Sequence, residues 1–80
     1  VAESSRCVLD VAALLAAVQA VARHRHISMN AVAAETGVGP STFTRMARGK
    51  PPDADGLLTL LAWLNAPAGD FARQRGGTDG

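Results

Sequence analysis

The sequence predicts a small all-α domain of five short helices, and three observations lead there. Apolar residues recur at helical spacing in separate stretches: Val11, Leu14, Leu15, Val18, Val21 and Ala22, then Leu57, Leu60, Leu61 and Leu64. Capping and stop residues bracket each stretch, with Asp10, Ser28 and Asp53 before helices and Gly37, Gly49 and Pro51-Pro52 after them. Alanine is abundant, tyrosine is absent, and β-branched residues are scattered singly, so helix is the default and no stretch reads as a strand. Eighty residues make one domain with a thin core.

Val1 to Cys7 is polar and aperiodic, so residues 1–9 are expected to form a flexible N-terminal arm ahead of a domain at 10–74. Asp10 can accept from free amides of the first helix, expected at 11–25, with Leu9 and Leu14 spaced as a hydrophobic staple. The run Arg23-His24-Arg25-His26 suits the negative end of that helix. Ser28 caps a second helix at 29–36, stapled by Ile27 and Val32, and Gly37 stops it. Pro40 opens a third helix at 40–48, where its missing amide costs nothing, and Gly49 ends it. Asp53 caps a fourth at 54–65. A fifth, at 68–74, brings Phe71 to the core, and the Gly-rich 75–80 is expected to be a disordered tail.

Composition narrows the function classes. The formal net charge is +1, which alone implies no polyanionic partner. The distribution says more: Arg23, Arg25, Arg45, Arg48 and Lys50 stand against Glu35 alone, while Asp53, Asp55 and Asp70 lie downstream. A single cysteine excludes an internal disulfide and fits a reducing compartment. No apolar run approaches the roughly 20 residues needed to span a bilayer. Val8 to Ala22 is interrupted by Asp10 and Gln19 and has no basic leader. A cytoplasmic, nucleoid-associated protein is the expectation.

The stretch from Ser28 to Lys50 carries the functional signal. Two short helices that cross steeply over a tight turn need a small residue at the crossing and a residue free to adopt the left-handed conformation. Ala33 and Gly37 supply these. Val32, Val38, Phe43 and Met46 are spaced to fill the wedge beneath both helices. With caps on either side, this is a helix-turn-helix pattern.

From Asp10 to Phe71 the chain resembles the Cro/cI-type (xenobiotic-response-element) family of bacterial and phage DNA-binding domains. The resemblance is carried by SMNAVAAETGVGPSTFTRMARGK, then Pro-Pro-Asp and LLTLLAWLNAPAGDF. The family pattern reads S-x-x-x-V-A-x-x-x-G-V-S-x-S-T-hydrophobic-S-R-hydrophobic-x-x-G-K-x-P-D. It implies a compact five-helix lambda-repressor-like domain that binds double-stranded operator DNA, usually as a symmetric homodimer, to regulate transcription. It also implies that the third helix enters the major groove. Ser41, Thr42, Thr44 and Arg45 are then the candidate base contacts. At about 100° per residue, Ser41, Thr44, Arg45 and Arg48 share the face opposite Phe43 and Met46, and Thr42 lies nearer the turn. Arg45 is the leading reader, since a guanidinium can address guanine O6 and N7 together. Ser28, Met29 and Asn30, at the amide end of the second helix, and Arg48 and Lys50 are the candidate phosphate contacts. Many phage relatives carry Gln at the first position of both helices. Met29 and Pro40 stand there in this chain and cannot make an amide-to-base contact, which leaves a short, hydroxyl-rich reading surface. DNA shape, or the arm Val1 to Cys7, is then a further source of specificity.

Other chemistries find little support. His24 and His26 point about 200° apart on a helix and lie far from Cys7, so no metal site is expected. Ser28 and Ser41 have no base at a recognisable spacing, and neither an enzyme nor a cofactor is expected. Leu58 and Trp63 flank the inner stripe of the fourth helix on opposite sides. Trp63 is expected to pack near Phe71, or else to join Leu58 and the last helix in a self-association surface. The rival function is a protein-interaction module on the same fold, such as an antitoxin-like or regulator-partner subunit.

Overall fold

The computed structural model describes residues 7–74 and is mostly helical. Four α-helices are present: α1 (Val11–His24), α2 (Met29–Thr36), α3 (Pro40–Ala47) and α4 (Ala54–Leu64). A single 3-10 turn (Ala68–Phe71) follows. Strands β1 (Cys7–Leu9) and β2 (Ala72–Gln74) close the domain as an antiparallel pair in which Val8 faces Arg73.

The helix starts follow their caps. Asp10 Oδ1 accepts from the Ala13 amide at 3.1 Å, Ser28 Oγ from Ala31 at 3.1 Å, and Asp53 Oδ1 from Gly56 at 2.9 Å. Three of the four helix ends share a single device. In α1, α3 and α4 the chain turns into the left-handed region at His26, Gly49 and Asn65. The next amide then reaches back over the last turn, Ile27 to Ala22, Lys50 to Arg45 and Ala66 to Leu61. These pairs satisfy carbonyls that would otherwise lack a partner. Histidine at φ 59° is the uncommon choice, because a Cβ opposes that conformation. Replacing His26 with Gly is expected to raise stability by up to about 1 kcal/mol, the relief of that crowding less the added chain entropy of glycine. A denaturant midpoint for the variant measures it.

α1 lies at the centre and packs against α2, α3, α4 and the 3-10 turn. Leu14 and Val18 on α1, Val32 on α2, Met46 on α3 and Leu60 on α4 are almost completely enclosed. Each such side chain contributes about 1.5–3 kcal/mol. Val21, expected on the inner stripe, is only half-buried. Leu9 and Ile27 pack on the core edge, as their staple positions require.

Two expectations are corrected at the chain ends. The fifth helix at 68–74 is instead the 3-10 turn followed by β2, so four α-helices, not five, build the domain. The arm expected at 1–9 ends in a strand: β1 pairs with β2, and the Asp10 amide donates to Phe71 O at 2.6 Å. The cause is one of partners. Backbone groups leaving the 3-10 turn find strand β1 beside them, and a continuing helix would leave that ladder unmade. Residues 1–6 and 75–80, with most of the expected arm and the expected tail, lie outside the described residues. No helix among the described residues is long and apolar enough to cross a membrane.

Candidate nucleic-acid interface

α2 and α3 are joined by Gly37, Val38 and Gly39. Gly37 has φ 77°, and its amide donates to Ala33 O at 2.8 Å. Thr36 completes the turn. Its hydroxyl donates to Val32 O at 2.8 Å and accepts from the Val38 amide at 3.2 Å. The bend therefore has backbone and side-chain partners, and buried Val38 anchors it. Ala33 is buried where α2 meets its neighbours, and Val32, Phe43 and Met46 are buried with it, as the wedge requires.

The outer surface of α3 is polar. Ser41, Thr44, Arg45 and Arg48 are exposed, while Phe43 and Met46 are buried on the other side. Pro40 occupies the first helical position after Gly39. Lys50 is exposed just past the helix end, beside Arg48. Thr42 stands apart from the other candidate readers. It is half-buried and lines a shallow groove shared with Thr36, Asp53, Asp55 and Thr59. Its hydroxyl accepts a long, 3.5 Å contact from Arg45 Nη2.

The Ser28 end of α2 is open. The Ser28 hydroxyl is engaged by the Ala31 amide and its carbonyl by Val32, so the Met29 and Asn30 amides begin the helix with no preceding turn to accept from them. The Met29 side chain packs against the core, so only its backbone amide is placed for an anion, whereas Asn30 is exposed. Met29 and Asn30 share a groove of about 280 Å³ with Pro40 and Thr44 of α3. Gln19 of α1 lines the same groove. Along the sequence Gln19 stands out only as a break in an apolar run. Its signal is that same break: a polar residue four positions after buried Leu15, on the same row of α1.

A second polar cluster was not legible in advance. The Arg25 guanidinium forks onto Glu35, with Nη1 to Oε1 at 2.8 Å and Nη2 to Oε2 at 2.9 Å. The Trp63 indole N–H donates to the same Oε1 at 3.0 Å, and Arg25 Cζ lies 5.7 Å from the indole centre. Hydrogen bonds from Arg25 and then from Trp63 hold the Glu35 carboxyl below the usual carboxylate range. The hydrogen bond to Glu35, and then its charge, raise Arg25. Trp63 is half-buried against the core, and its polar edge turns to Glu35. Arg25 is likewise spent on Glu35 and is not a free cation of the basic segment. Leu58 is the exposed large apolar side chain among the described residues, at 64%.

No known protein family, curated protein or solved structure matches this chain.

Proposed function

We propose that this chain is a helix-turn-helix domain of lambda-repressor-like type that binds double-stranded DNA and regulates transcription. The observation that carries the reading is the two-sided build of α3. Ser41, Thr44, Arg45 and Arg48 are exposed together, and Phe43 and Met46 pin the opposite side to the core. The bend at Gly37 sets α3 beside the open amide end of α2, so one surface offers both a reading helix and an anion-binding helix end.

In this reading α3 enters the major groove with its N-terminal half toward the base edges. Arg45 reads guanine, Ser41 and Thr44 make weaker contacts, and Thr42 steadies Arg45 from the turn side. Arg48, Lys50 and the Ser28–Asn30 end of α2 hold phosphates. Glu35 is paired with Arg25, and Trp63 donates to the same carboxylate. A single module buries only about 600–1,000 Å² of its own surface on DNA, so useful affinity calls for two copies on half-sites about 34 Å apart. Leu58, bare on the outer side of α4, is the contact proposed for pairing.

The test is salt-dependent binding to random duplex. Wild-type protein is expected to shift duplex at low salt. Arg48→Ala and Lys50→Ala are each expected to weaken all sequences alike and to flatten the slope of log K against log salt by about one unit. A chain that shifts no duplex at low salt, but forms a stable complex with another protein through the Leu58 face, is the protein-interaction module instead.

A further inference from the structure

Arg25, Glu35 and Trp63 belong to three different helical ends: the cap of α1, the last turn of α2 and the last turn of α4. Each of the three side chains touches both of the others, so the contacts form a closed triangle. None of them belongs to the surface assigned to DNA.

α2 is held to the core by buried Val32 and Ala33 and by partly buried Met29, and Glu35 lies on its exposed side. Its C-terminal turn, which carries Glu35, runs directly into Gly37 and the bend to α3. That turn thus sets where the bend to α3 begins. Exposed ion pairs add little stability, but a bidentate guanidinium fork fixes direction, and the indole N–H fixes it from a second side.

We infer that Arg25, Glu35 and Trp63 form a positioning clamp that holds the C-terminal turn of α2 against α1 and α4. The clamp sets the angle at which α2 and α3 are presented. Its consequence for DNA rests on the function proposed above; its hold on α2 does not. The consequence has an unusual sign. Glu35→Gln raises the formal net charge by one unit from +1, which by charge alone tightens binding to a polyanion. Loss of a positioning clamp weakens it.

Glu35→Gln keeps the side-chain shape while removing the ion pair, and Trp63→Phe removes the indole donor while keeping a smaller aromatic ring against the core. The full chain of each variant, and of the swapped pair Arg25→Glu with Glu35→Arg, is compared with wild type by amide hydrogen exchange and by binding to random duplex at low salt. The Gly37 and Val38 amides, which close α2 and the bend, are expected to exchange about 2- to 5-fold faster in both single variants. The amides of Leu14 and Leu60 should be unchanged, and the swapped pair should recover toward wild type. Duplex affinity should fall by a similar factor in both single variants. Unchanged exchange at Gly37 and Val38, uniform acceleration across the whole chain, or tighter duplex binding by Glu35→Gln overturns the clamp. If wild-type protein binds no duplex, the DNA function falls, and exchange alone then decides whether the clamp holds α2.

Discussion

Met46→Ala is expected to destabilise the domain by about 2–5 kcal/mol, measured as a shift in the denaturant midpoint. Met46 is 1% exposed, the deepest side chain that α3 contributes. Truncation leaves a cavity beneath the helix and removes part of the attachment that pins its outer face outward. Natural domains carry only about 5–15 kcal/mol in total, and short chains sit at the low end of that range. A loss of this size populates the unfolded state substantially. The proposed DNA binding falls with it, although Met46 faces away from the proposed reading surface. A midpoint within about 0.5 kcal/mol of wild type would contradict the packing described for α3.

Arg45→Ala is the complementary case, with the proposed sequence discrimination reduced and the fold kept. Its side chain is exposed, and the only hydrogen bond it makes within the described residues is the long contact to Thr42. Stability should therefore stay within about 0.5 kcal/mol. Sequence discrimination should fall by about 1–3 kcal/mol, because a bidentate contact to one guanine carries that much. The measurement is the ratio of affinities for a selected site and for random duplex. Arg48→Ala should lower both affinities together and leave the ratio alone. An Arg45→Ala protein with the wild-type ratio would remove Arg45 from the readers.

Much of the helical framework was legible because its signals are local. A cap acts on an amide two or three residues away, so Asp10, Ser28 and Asp53 could be assigned from the chain alone, and the structure gives each of them that hydrogen bond. Gly37 is expected at positive φ because a tight turn must follow α2, and it has φ 77°. The inner stripes followed from periodicity, and α2 spans the residues expected for it.

What escaped depends on residues distant in sequence. Strands of three residues hold too few positions to show alternation, and β1 exists only because β2 returns beside it from the far end of the chain. A helix at 68–74 was a fair local reading until that partner is counted. His26 hides an αL position that glycine would have advertised. The wheel placed Trp63 on a flank of α4 but could not say that Arg25 and Glu35 converge there from two other helices. Gln19 enters the groove of Asn30 and Thr44 only once α1 packs across α2 and α3.

In the function proposed, the outer face of α3 reads duplex DNA. Selection of bound duplexes from a random pool, with the wild-type chain at low salt, decides it. The proposed function predicts enrichment of a short motif containing guanine, repeated with two-fold symmetry at a spacing of about one helical turn, and loss of that enrichment in Arg45→Ala. A pool from which no duplex is retained, or one retained with no motif enriched and no change in Arg45→Ala, would contradict it.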